Sequence, residues 1–248
     1  MMYKTEATSI GGFIQQLSVS YVGKGYFFYV TGQIPKGKDP PVVDAKLTAR
    51  YGIAISKWAR ARRKQSGSAN LQYIRFDRFF VLLATHGRHA FFEEEATSIK
   101  DVRETPIKFA GYSVSYRGGH THVRIEREEY NRLKAYFLNL AVRRSVVDVE
   151  RELAHIHYEP YAPVRRQLLC ILRAVNLARR KAGFTPVTKK VFRFQRRVYR
   201  PFEPAEARVP GAGLTASECQ GKRDSDARDD GLTSAARPSL DLLSQGMS

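Results

Sequence analysis

The amino-acid pattern predicts an α+β fold, and three observations carry the prediction. Residues 112–126 alternate polar and apolar side chains about Gly118-Gly119, the signature of a β-hairpin. Residues 127–182 repeat apolar side chains at helical spacing in three successive blocks. Between residues 10 and 126, short alternating or wholly apolar runs outnumber helical ones. The expected order is a mixed, mostly antiparallel sheet with two helices over 10–126. A three-helix portion with a basic C-terminal arm follows over 127–203, and then a disordered tail over 206–248.

Residues 13–34 read as β-rich. Leu17, Val19 and Tyr21 alternate with Ser18 and Ser20, and Gly23-Lys24-Gly25 turns the chain into a second strand, Tyr26 to Val30. Pro35 to Pro41 breaks the pattern. Val42 to Arg50 is helical, and Ser56 is a good N-cap for a second helix carrying Trp58 among Lys57, Arg60, Arg62, Arg63 and Lys64. Leu71 to Ala84 reads as two strands about Asp77-Arg78. The second is almost wholly apolar, which marks it as central. Glu93, Glu94 and Glu95 suit the start of a short helix, where the dipole favours acids.

In the hairpin, setting Arg117 against His120 makes the pairs Tyr116–Thr121, Ser115–His122, Val114–Val123, Ser113–Arg124 and Tyr112–Ile125. Every pair then sorts by face. Tyr112, Val114, Tyr116, Thr121, Val123 and Ile125 form a mostly apolar side; Ser113, Ser115, Arg117, His120, His122 and Arg124 form a polar one. The first following helix has Glu128 and Glu129 in its first turn, a stripe of Tyr130, Leu133, Phe137 and Leu140, and ends near Arg143. Ser145 to Asp148 resembles a capping box and starts a second helix through Val146, Val149 and Leu153 to His155. Pro163 and Gly183 punctuate the third, whose Val164, Leu168, Ile171, Leu172, Val175 and Ala178 share one face. Cys170 is expected to be a packed or half-buried side chain of this helix.

Charge is distributed unevenly. Residues 160–202 contain no Asp or Glu and twelve Lys or Arg, in a chain of net charge +18. Residues 206–248 carry seven acids and five bases, so the remainder of the chain holds a net +20. Cations without internal partners meet solvent, counter-ions or a polyanion. Arg166, Arg173 and Arg180 are seven apart and drift only about 20° per step, so they form a rail opposite the apolar face. Beyond them Lys189, Lys190, Phe192, Arg193, Phe194, Arg196, Arg197, Tyr199 and Arg200 mix cations with aromatics.

The expected function is nucleic-acid binding, DNA or RNA, with phosphate contacts from Arg166, Arg173, Arg180, Arg193, Arg196, Arg197 and Arg200. Arg117, Arg124, Arg60 and Arg63 extend that surface, and Phe192, Phe194 and Tyr199 are candidate base-stackers. The competing reading is a solvated helix face in an arginine-rich chain. A helix-turn-helix, with 146–155 as first element and 163–182 as recognition helix, has a connection longer than the usual tight turn.

The six histidines fall in close pairs: His86 and His89, His120 and His122, His155 and His157. Strand alternation points His120 and His122 to one side, which suits metal ligation, hydrogen bonds and partial positive charge on an anion-binding sheet face, or an inert polar face, the second being the reading preferred. This His-Thr-His segment resembles the His-hydrophobic-His signature of the HUH single-strand DNA endonucleases, a group with members among rolling-circle initiators and transposases. The resemblance implies His120 and His122 as divalent-metal ligands and Tyr130 or Tyr136, on the next helix, as the catalytic nucleophile. It covers about three residues plus the strand-then-helix order, and Thr121 departs from it, standing where a bulky apolar residue is usual.

Other classes are excluded or left without a signal. Two cysteines, Cys170 and Cys219, cannot build a disulfide framework or a Cys-rich zinc site. The first twelve residues have no sustained apolar stretch, and the longest apolar run, Phe79 to Ala84, is too short to cross a bilayer, so no membrane partner is expected. Phosphate-loop, dinucleotide-binding and nucleophile-elbow motifs are missing. No cofactor is expected beyond a divalent metal under the HUH reading. The expected location is a bacterial-type cytoplasm or nucleoid, and a mobile-element or phage setting fits without any residue specifying it.

Overall fold

Two antiparallel sheets and a helical cluster share the chain in an α+β arrangement. They are described here from a computed structural model covering residues 3–203 except 196. The expected disordered tail over 206–248 lies outside the described residues, as does Arg196. The first sheet comprises β1 (Phe28–Gln33), β2 (Leu71–Phe76), β3 (Phe79–Ala84) and β4 (Lys100–Asp101), in the order β2-β3-β1-β4. The second comprises β5 (Ile107–Phe109), β6 (Tyr112–Arg117) and β7 (His120–Ile125), in chain order. The expectation of one sheet is thus corrected to two, and every named strand pair is antiparallel.

Alternation dictates these pairings. In β3, Val81 and Leu83 pack into one core while Leu82 and Ala84 pack into another. With both faces covered, a continuous apolar run is what the strand needs. The β6–β7 register matches all six expected pairs, from Tyr112–Ile125 to Arg117–His120. Gly118 and Gly119 turn at φ 56° and 80°, a conformation that side chains with a Cβ disfavour.

Seven α-helices accompany the sheets among the described residues. They are α1 (Ile10–Gln15), α2 (Pro40–Arg50), α3 (Lys57–Gln65), α4 (Phe91–Glu94), α5 (Arg127–Ala141), α6 (Val146–Ala154) and α7 (Ala162–Lys181). Residues 10–126 therefore carry four helices instead of the expected two. The expected strand at Leu17 to Tyr21 is helical: α1 continues as a π-helical turn, Gln16–Tyr21, and a 3-10 turn, Val22–Lys24. Phe13, Ile14, Leu17, Tyr21 and Val22 are buried at helical spacing, whereas Val19 is 47% exposed. A two-residue alternation would have buried Val19 as well. The start signal is Ser9, whose hydroxyl accepts the Gly12 N–H at 3.1 Å.

Three cores result. The α1 segment shares one core with Ile74, Val81 and Leu83 of the first sheet and Ile107, Val114 and Val123 of the second. The outer face of the first sheet packs Leu71, Tyr73 and Leu82 against Tyr51, Ile53 and Phe91. The third core joins Ile125 to α5, α6 and α7 through Phe137, Val149, Leu153, Val164, Leu168 and Leu172. Ser56 and Ser145 cap α3 and α6 by accepting the N–H of Ala59 and Asp148. Gln167 on α7 clamps the edge of β7, donating to the Ile125 carbonyl at 3.0 Å and accepting its N–H at 2.8 Å. One compact unit contains all the described residues.

Candidate nucleic-acid interface

Helix α7 has the apolar face its sequence predicts, with Val164, Leu168, Ile171, Leu172 and Val175 buried. Arg166, Arg173 and Arg180 are all exposed. The fourteen steps from Arg166 to Arg180 span about 21 Å of helix axis. Among the described residues none of the three pairs with a carboxylate; Arg180 donates its Nε to the Asn176 carbonyl at 3.2 Å. Cys170 and Leu177, which fall in the same stripe, are exposed too. The expectation of a packed Cys170 is corrected: it lies about 40° from Arg166 on the outer face.

Another cation of the acid-free span turns inward. Arg179 is 2% exposed and donates to the carbonyls of Thr185 at 2.7 Å, Ala141 at 2.8 Å and Arg144 at 3.0 Å. It closes the end of α5 from the apolar side of α7, where it follows Val175 by four residues and Leu172 by seven.

The basic arm is docked, not free. Gln15 donates to the Tyr199 carbonyl at 2.9 Å and accepts the Tyr199 N–H at 3.1 Å, while the Thr8 N–H donates to the Pro201 carbonyl at 2.9 Å. The Tyr199 ring occupies the space where a Cβ on Gly11 would stand, and its hydroxyl donates to Glu159 in a short hydrogen bond. Burial first, and then Glu159, push that hydroxyl up to about 12. Phe192 and Phe194 stack at 5.3 Å and rest against the helical core. Arg193 and Arg197 are exposed, with no carboxylate partner among the described residues, whereas Arg200 pairs with Glu203 at 3.0 Å.

Elsewhere the expected cations divide. Arg117 and Arg124 are exposed on the polar hairpin face. Arg60 and Arg63 donate to the carbonyls of Ile53 at 3.0 Å and Gly52 at 3.2 Å, bracing the α2–α3 turn. On α3 the outward cations are Lys57, Arg62 and Lys64, beside Trp58, which is 78% exposed.

The histidine pair is separated by its setting: His120 is exposed at the hairpin tip and His122 is half-buried. Among the described residues no three His, Cys, Asp or Glu side chains converge as a metal site. Tyr130 packs against the helical core, and burial raises its hydroxyl. Tyr136 is exposed, but its hydroxyl donates to Glu152 at 3.2 Å and is raised by desolvation and then by that carboxylate. The α6–α7 connection runs over residues 155–161, longer than the three or four residues of a helix-turn-helix.

What the sequence did not reveal is a cleft of about 530 Å³. Its walls come from the α1 segment (Gln15, Ser18), the following turn (Lys24), the hairpin tip (Tyr116, His120, Thr121), the approach to α7 (Glu159, Tyr161), the first turn of α7 (Arg165) and the arm (Arg197, Tyr199). Lys24, His120, Arg165 and Arg197 face a single acid, Glu159, which already accepts the Tyr199 hydroxyl. The sequence holds no local signal for this gathering, because these four nitrogen-bearing side chains come from four separate segments.

The chain matches no protein-family model and no curated protein. Function rests on the geometry alone. Among the described residues no helix is long and apolar enough to cross a membrane.

Proposed function

We propose that this protein binds nucleic acid through the phosphate backbone, with Arg166, Arg173 and Arg180 as the central contacts and Arg193, Arg197, Arg117 and Arg124 extending them. The single supporting observation is the rail: three exposed guanidinium groups along about 21 Å of one helix face, none paired with a carboxylate among the described residues. Unpaired, outward arginines condense on a polyanion by releasing its counter-ions. Such a protein acts in a cytoplasm or nucleoid. The metal-dependent cleavage reading gains no such support, since His120 and His122 have no third ligand near them among the described residues.

The test is fluorescence anisotropy of the full chain with labelled single-stranded DNA and RNA over a salt series. Log K should fall with log salt at roughly 0.7 per phosphate contacted. Changing Arg166, Arg173 and Arg180 together to Gln should reduce that slope by about two to three phosphate equivalents. A slope near zero for the unaltered protein overturns the proposal.

A further inference from the structure

The cleft has a chemistry of its own, distinct from the rail. It is about 530 Å³, within the range of small-molecule sites and far short of a duplex groove. Lys24 and Arg165 line it and are exposed, so both can reach a ligand without first being released from the core. Arg197 and His120 add positive or hydrogen-bonding groups from two further segments. The lone acid, Glu159, is occupied by Tyr199.

The start of α7 opens into the same space. Ala162 lines the cleft, and Tyr161, the N-cap, supplies no side-chain hydrogen bond to the first helical amides. Pro163 carries no N–H, so the Ala162 amide and the helix dipole add to the pull on an anion. Tyr116 and Tyr161 give the cleft aromatic walls. Three strong cations around one small volume suit a dianion better than the single charge of a backbone diester. A phosphomonoester is such a group. Arg165 lies next in sequence to Arg166 and about 100° round the helix from it, so a strand lying on the rail leads to the cleft at the N-terminal end of α7.

We infer that the cleft takes the terminal nucleotide of a single strand, binding its phosphomonoester through Lys24, Arg165 and Arg197 with the base against the tyrosine wall. The inference deepens the nucleic-acid reading and rests on it for the strand, but not for the nucleotide. The test uses the full chain and one short labelled oligonucleotide in three forms: 5′-phosphorylated, 3′-phosphorylated, and hydroxyl at both ends. One phosphorylated form should bind about tenfold tighter than the hydroxyl form, and which form does so identifies the end that is held. Lys24→Gln with Arg165→Gln should abolish that preference. Equal affinity for all three forms, or a preference that survives the double change, overturns the inference.

A second measurement separates this failure from failure of the rail. Should no oligonucleotide bind, thermal shift with adenosine monophosphate and with adenosine decides the matter. Stabilisation by the nucleotide alone, lost in the double variant, supports the cleft while the backbone-binding proposal falls. No stabilisation by either removes both.

Discussion

Asp44 provides the sharpest test of how the first sheet is held. It is 4% exposed on α2 and accepts hydrogen bonds from Thr5 at 2.7 Å, Tyr73 at 2.6 Å and the Arg75 Nε at 3.0 Å. Arg75 is itself 3% exposed and also holds Glu6 at 3.0 Å and the Asp77 carbonyl. Burial alone would pull the arginine towards neutrality, and the bonds to Glu6 and Asp44 outweigh it. Replacing Asp44 with Ala leaves a buried guanidinium with only one carboxylate, on the half-exposed Glu6, and strips the Tyr73 hydroxyl of its acceptor. Breaking a buried pair from one side costs about 3–5 kcal/mol. For a body of this size each kcal/mol lowers Tm by roughly 2–4 °C, so the expected loss is about 6–20 °C. Thermal unfolding followed by circular dichroism measures it. A cycle with Arg75→Met should return a coupling of about 1–3 kcal/mol, because the two changes remove one shared interaction. A loss below about 1 kcal/mol for Asp44→Ala, or additivity of the two changes, would refute the reasoning.

Three other perturbations have definite expected outcomes. Arg179→Ala should cost about 3 kcal/mol in urea unfolding, since the Ala141, Arg144 and Thr185 carbonyls lose their donor, and Arg179→Lys should restore little because one ammonium cannot span them. Gly11→Val should expel Tyr199, whose nearest ring atom would stand 2.4 Å from the new Cβ, and trypsin should then cut after Arg197 faster than in the unaltered protein. His89 is held below its ordinary pKa by burial and then by Arg63, and its Nδ1 accepts the Phe91 N–H, which requires the unprotonated nitrogen. The unfolded chain therefore takes up this proton more readily: stability is full above about pH 6.5 and declines as pH falls from there towards the lower folded value. Stability measured from pH 7 to 5 should fall less steeply in His89→Asn; parallel curves would contradict the assignment.

The features legible in the sequence are those whose causes are local. The β6–β7 register follows from period-two alternation and a turn that needs two glycines, all within residues 112–125. The buried face of α7 follows from 3.6-residue spacing and the flanking Pro163 and Gly183. Features hidden in the sequence answer to distant partners. Gly11 and Gly12 weaken a helical reading of α1, yet they are there because Tyr199 and Pro201 lie against them. Arg179 falls at the spacing of the apolar face, four residues after Val175, and its charge there is explained only once the carbonyls at the end of α5 are in place. Arg60 and Arg63 read as free cations, but the turn at Gly52, φ 54°, directs carbonyls at them. The cleft is the extreme case, since Lys24 and Arg197 meet only after both sheets and α7 have packed.

The bond from Thr8 to Pro201 has a consequence for biosynthesis. A ribosome making about 5–20 residues per second emits α1 on the order of 10–40 s before the residues that cover it. Through that interval Gly11 and Gly12 face an empty berth, and the side-chain amide of Gln15 lacks the backbone it will clasp. Closure of this body is therefore a late event set by translation. A pause in decoding just short of residue 199 would prolong the exposure of its earliest helix without altering a single contact in the finished molecule.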